Sequence, residues 1–210
     1  MKSYTSVRIC VLIFSIVALV LAVVGVFMPF FTVSSSKQST LDSIKANVLS
    51  SSFDPSKDAH MMQRFIELSS SSPPESVMTL WTLKYGGALN ASAPVDLRDA
   101  YFMCYSGNMM IQTAEGMAVV TCVLGAANLI LSAFTFAFSE VVKLPLALYF
   151  FLAAGAAAVT FCVMLHLYLN GWCDSVSMRS LYWDLTYGFA LYVVSCTLYL
   201  TASILTMFID

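Results

Sequence analysis

The chain has 210 residues, of which 59% are apolar and only 10% charged, where an ordinary soluble domain carries about 25% charged residues. A formal net charge of −2 argues against nucleic acid as a partner and against a polybasic attachment to membranes. The charges are also unevenly spread, with four long stretches holding none and the polar residues crowded between them.

A short N-terminal segment, residues 1–8, carries Lys2 and Arg8 ahead of the first uncharged stretch, residues 9–31. The others are residues 116–138, 144–169 and 185–209. Each is long enough to cover a hydrocarbon core of about 30 Å. Lipid offers no hydrogen bonds to the backbone, so such runs must be helical. Apolar residues lie all round them, and a soluble bundle would need polar outer faces. The expected fold class is therefore an all-α membrane protein, a four-helix transmembrane bundle. The first stretch exceeds the 7–15 residues or so of a cleavable signal core, and it reads as a retained span.

Orientation follows from the short segments, since long loops have no vote in the positive-inside rule. Lys2 and Arg8 precede the first span, and the connection 139–143 holds Glu140 and Lys143. Both fit the cytoplasmic side better than 170–184, which has Arg179 against Asp174 and Asp184. Residues 32–115 and 170–184 then lie outside, and the C-terminal Asp210 lies inside.

The outer segment 32–115 divides in two. Residues 32–76 are rich in serine, with runs at Ser34–Ser36, Ser50–Ser52 and Ser69–Ser72 before Pro73–Pro74. Two short amphipathic pieces interrupt them, Leu41/Ile44/Val48 and Met61/Phe65/Leu68. Helices this short are unstable alone, so this half reads as a mobile insertion. Residues 77–113 read as ordered. Val77–Lys84 and Tyr101–Tyr105 are apolar, β-prone runs closed by Gly86–Gly87 and Ser106–Gly107, a pattern that suggests paired strands. Trp81 suits an anchor, being large, apolar and able to donate one hydrogen bond, or a residue of the interfacial aromatic belt. Asn90-Ala91-Ser92 matches the N-glycosylation sequon.

Six cysteines are present. Cys122, Cys162 and Cys196 fall inside spans, where cysteine acts as a small apolar residue. Cys10 lies at the cytoplasmic edge of the first span, where packing or palmitoylation could use it. Cys104 and Cys173 remain in the oxidising compartment and are expected to bond to each other. Closing that loop would contribute about 4 kcal/mol by the chain-entropy argument, provided the Cα atoms approach within about 7 Å.

No Asp, Glu, Lys or Arg falls inside the four stretches, whereas transporters and proton relays normally carry intramembrane charge. His166, near the outer end of the third span, is expected to be satisfied at the interface or by a neighbouring helix; the alternative is a proton carrier. Asn128, near the middle of the second, is expected to make an interhelical hydrogen bond. Ala153–Ala158 and Gly125–Ala127 offer small-residue faces for close packing. No phosphate loop, metal-ligand spacing or catalytic grouping is legible, so no catalytic residue, metal or cofactor is expected.

The run Val77-Met78-Thr79-Leu80-Trp81-Thr82-Leu83-Lys84-Tyr85-Gly86-Gly87 resembles the signature of amastins, surface proteins of trypanosomatid parasites. Thr79, Leu80, Trp81, Lys84 and Gly86 match it. Val77 and Gly87 replace the two signature cysteines, and Thr82 replaces a small residue. Cys104 with Thr113–Val119, and Cys173 with Tyr187–Val194, resemble the family's approaches to the second and fourth spans. The resemblance implies a claudin-like four-span layout with a small β-containing extracellular region. It also implies a glycosylated, non-enzymatic plasma-membrane protein. With the signature pair missing, Cys104–Cys173 is the one exofacial disulfide left to this chain. The expected role is structural, or contact with host or environment; ion or proton transport, as channel or accessory subunit, is the alternative. Expected partners are the lipid bilayer and a host-cell surface or other membrane proteins, with a homo-oligomer left open.

Overall fold

An uncharged run that must satisfy its own backbone has one regular solution in lipid, and four long helices appear in the computed structural model. The structure describes residues 2–34, 75–84, 95–96, 105–137, 139–171, 177–180 and 183–208. The helices are α1 (Lys2–Phe27), α2 (Tyr105–Phe134), α3 (Ser139–Asn170) and α4 (Tyr187–Thr206). All four are long and apolar enough to cross a membrane. Five short strands complete the described elements: β1 (Phe31–Ser34), β2 (Glu75–Met78), β3 (Thr82–Lys84), β4 (Val95–Asp96) and β5 (Asp184–Leu185). The chain divides into a helical unit, Met1–Met28 with Met110–Leu165 and Tyr187–Asp210, and a sheet-bearing unit, Pro29–Met109 with His166–Thr186.

In the helical unit each helix buries one face at alternating steps of three and four residues. On α1 these are Val11, Ser15, Ala18, Ala22 and Gly25; on α2, Ala114, Ala118, Thr121, Gly125, Asn128 and Ser132. On α4 they are Gly188, Tyr192, Ser195, Tyr199, Ala202 and Thr206. A repeat averaging 3.5 residues keeps one seam facing its neighbours, as in left-handed bundles. Most of these residues are small or hydroxylated. Many large apolar residues point the other way: Ile13, Val20, Val123, Ile130, Leu148, Phe151 and Ile204 are all exposed. A protein dissolved in water would have this inverted. In lipid nothing drives apolar side chains inward, so packing selects residues that let backbones approach.

Cross-helix contacts fix the directions. Gly25 meets Tyr192 and Ser195 bonds Ala18, so α1 and α4 are antiparallel. Cys196 to Ala154 and Ser203 to Ala147 run α3 antiparallel to α4. Thr160 reaches Ala114 on α2. The tie between α2 and α3 is short. The end of α2 tightens through Phe136 N–H to Ala133 O and Ala137 N–H to Phe134 O, and α3 starts at Ser139. Pro145 lies in the second turn of α3, where its missing N–H leaves one helical bond unmade near the end rather than mid-helix.

The sheet-bearing unit holds one five-stranded sheet in the order β4-β3-β2-β1-β5, every pair antiparallel. Phe31 is paired with Met78 on one side and Leu185 on the other. Phe30 and Phe31 are fully buried and Val33 nearly so, and the Phe31 ring stacks on Tyr168 with centroids 6.3 Å apart.

The sheet corrects three expectations. Val77–Lys84 is not one strand: β2 and β3 form a hairpin that turns at Thr79–Trp81. Tyr105, placed in a strand by sequence, is helical, and residues 101–104 lie outside the described ones. The strands that do pair with the hairpin are β1 and β4. β1 was concealed because it straddles two segments, beginning on Phe31 at the end of the first apolar stretch and running into the Ser-rich half, and because burial in protein and burial in lipid select the same residues. Pro29 marks the boundary. It cannot continue the hydrogen bonding of α1, and α1 stops at Phe27. α2 likewise begins at Tyr105, ahead of the uncharged stretch at Gly116, because a helix may outrun the segment that lipid requires. The two ends of the Ser-rich half, read as a mobile insertion, are instead ordered: residues 32–34 lie in β1 and residues 75–76 in β2, paired with each other, while residues 35–74 with the two amphipathic pieces fall outside the described ones.

Candidate functional site: the signature turn and the buried polar layer

Two places gather polar chemistry. The first is the hairpin turn. Thr79 Oγ1 accepts the N–H of Thr82 at 2.9 Å and that of Trp81 at 3.3 Å. The Thr79 N–H donates to Thr82 O at 2.8 Å. The two threonine hydroxyls are 3.0 Å apart. A threonine hydroxyl that captures backbone donors two and three residues on is the usual side-chain mimic of a turn. Met78 and Leu80 are fully buried beneath it, while Trp81 and Thr82 are half-buried. Phe30 N–H closes on Met78 O at 2.9 Å. The turn is thus fastened from both ends and presents part of the Trp81 side chain. Lys84 lies in β3 opposite Val77. Gly86, Asn90, Cys104 and Cys173 lie outside the described residues.

His166 sits in the sheet-bearing unit and is exposed. Its Nδ1 is 3.0 Å from Asn170 Nδ2. The amide nitrogen can only donate, so Nδ1 is the acceptor in this contact. The partner lies one turn along the same helix, not on a neighbouring helix, because i and i+4 side chains meet on one face.

The second place is the interior of the helical unit. Ser195 Oγ donates to Ala18 O at 2.9 Å, and Ser203 Oγ to Ala147 O at 3.0 Å. Thr160 Oγ1 donates within α3 to Ala156 O at 3.1 Å and leans on Ala114 O at 3.4 Å. Cys196 Sγ donates to Ala154 O at 3.4 Å. Hydroxyls, with one thiol, therefore tie the helices together through backbone carbonyls. Asn128, expected to do this, does not. It is fully buried, and neither its amide oxygen nor its amide nitrogen reaches a partner among the described residues. An amide needs a partner at the right depth and angle, whereas a hydroxyl rotates to any nearby carbonyl. Nothing in the sequence singles out Ser195 and Ser203, because apolar residues lie all round α4 and leave its inward face unmarked.

Glu115 is buried although nothing in the sequence marks it. It precedes the uncharged stretch by one residue, yet it is only 2% exposed and is held in contact with other groups. Among the described residues no three of His, Cys, Asp or Glu are grouped as a metal site would require. Cys10, Cys122, Cys162 and Cys196 are free thiols.

The family model for the amastin surface glycoprotein matches residues 58–206, more than two thirds of the chain, including the hairpin turn and α2 to α4. No curated protein matches the sequence at a significant level. With four apolar helices long enough to span and a small sheet, the chain is a multi-pass surface membrane protein and belongs to the amastin surface glycoprotein family.

Proposed function

We propose that the protein is a non-enzymatic component of the cell surface whose helices hold it in the membrane and whose outer segments contact host or environment. Both termini lie in the cytoplasm, in keeping with Lys2 and Arg8 before α1. One observation carries this reading. The interior of the helical unit is filled by Tyr192, Tyr199 and Phe150, all fully buried, and its hydroxyls Ser195 and Ser203 are engaged by backbone carbonyls. A packed interior supports an anchor. A pore through a single chain would need a polar lining. The half-buried Trp81 on its fastened turn is the natural contact residue, since tryptophan adds large area at small entropic cost. Full-length protein in nanodiscs should bind host cells, and Trp81→Ala should weaken binding several-fold. Undetectable binding at micromolar protein would remove the contact role.

A transport-related role is favoured by one residue, Glu115, which is buried just ahead of the uncharged stretch of α2, because ionisable groups held at the mouth of a helical bundle can mark ion or proton routes. Flux through proteoliposomes discriminates. Robust proton or cation flux that Glu115→Gln abolishes would establish this second reading and displace the first.

A further inference from the structure

Three helices bring unpartnered polar groups to one level of the helical unit. Ser15 and Asn128 are fully buried, and Ser15 Oγ, Asn128 Oδ1 and Asn128 Nδ2 reach no hydrogen-bond partner among the described residues. Tyr199 is equally buried. Its Oη lies close enough to Ser195 to feel that hydroxyl but outside hydrogen-bond geometry, and Ser195 gives its own proton to Ala18 O.

The helix register places the three together. α1 and α4 are antiparallel, with Ser195 bonded to Ala18. One turn along α4 from Ser195 is Tyr199, and one turn back along α1 from Ala18 is Ser15. A Cβ on Gly125 would lie 3.0 Å from Leu19 and would collide with Tyr199 Oη. One turn along α2 from Gly125 is Asn128, and one turn back along α1 from Leu19 is again Ser15. The neighbours on the same faces, Ala18, Gly125 and Ala202, are small and buried.

We infer that Ser15, Asn128 and Tyr199 form a binding site for water inside the helical unit, with Asn128 as its anchor. A buried amide without partners is costly in an apolar medium. Buried waters typically make about three hydrogen bonds to such groups. Water can donate to Asn128 Oδ1 and accept from Asn128 Nδ2, Ser15 Oγ or Tyr199 Oη, with no charge to neutralise and the least volume to accommodate. A metal cation would want anionic or carbonyl oxygens in number, and the layer holds an amide donor instead.

The test uses full-length protein in lipid nanodiscs, with magnetisation transfer from bulk water to the Asn128 side-chain amide hydrogens. Transfer should be at least several-fold faster than to the methyls of Val123, which face outward. Ser15→Ala and Tyr199→Phe, each deleting one oxygen, should each slow it several-fold while leaving the backbone amide spectrum elsewhere unchanged. Transfer to Asn128 no faster than to Val123 would overturn the inference in the unmodified protein alone. Transfer that is fast but indifferent to both substitutions would overturn it too, because the three side chains would then not share the water.

Discussion

At the scale of single residues, two glycines of the helical unit leave room for tyrosines and for nothing more. A Cβ on Gly125 would strike the Tyr199 hydroxyl, and one on Gly25 would stand 2.9 Å from the Tyr192 ring. Gly125→Ala should therefore destabilise the fold by about 1–3 kcal/mol through overpacking. The clash is with one oxygen, so Tyr199→Phe should recover most of the loss. A double-mutant cycle in detergent, read by thermal unfolding, measures the coupling, and additive effects would contradict the contact. Gly155→Ala is the control, because nothing lies within 4 Å of a Cβ there. Thr79 is the corresponding residue of the sheet-bearing unit. Thr79→Val keeps the shape and removes the acceptor for two backbone N–H groups, which should cost about 1–3 kcal/mol. The fluorescence of Trp81 should report the loosened turn.

At the scale of elements, the helices turn many small and hydroxylated residues inward around a few large ones such as Phe150, Tyr192 and Tyr199, and carry large apolar residues outward. The two faces should answer oppositely to the same substitution. Ala154 is nearly fully buried on α3, and its carbonyl receives the Cys196 thiol. Ala154→Leu would force α3 from α4, costing about 1–3 kcal/mol or more, whereas Val123→Leu on the outer face of α2 should be neutral. Thermal unfolding of purified protein decides between them, and equal effects would contradict the assignment of faces. The end of α3 carries a second element-scale device. Gly171 adopts φ 73°, and its N–H closes on Leu167 O at 3.1 Å, the left-handed stop that glycine supplies most cheaply. Gly171→Ala should destabilise by about 1–2 kcal/mol, measured the same way.

At the scale of the whole molecule, the medium is the governing variable. Val123→Lys near the middle of α2 should raise the cost of membrane insertion by about 2.5–3.5 kcal/mol, read as the inserted fraction in a translocation assay. An unchanged fraction would place that face against protein rather than lipid. The four crossings were legible in the sequence because water and hydrocarbon differ so strongly in what they accept that residues 9–31 or 144–169 admit one reading from composition alone. The signature turn was legible as a motif, Thr79-Leu80-Trp81, but not as a turn. Its β-prone composition fits a strand equally well, and only the capture of backbone donors by the Thr79 hydroxyl decides for a hairpin. β1 was illegible because Phe30 and Phe31 would be as content in lipid as in the sheet-bearing unit. Which side of each helix turns inward was hidden for a related reason: apolar residues lie all round, so hydrophobic periodicity carries no signal. By itself the sequence determined the number of crossings, the family and the surface character of the protein, since these rest on transfer of side chains between phases and on a short linear motif. The tertiary structure alone decided that Ser195 and Ser203 tie the helices where Asn128 was expected to, and that Ser15, Asn128 and Tyr199 share a level. Those outcomes depend on helix register, and register is set by how closely small residues let backbones approach.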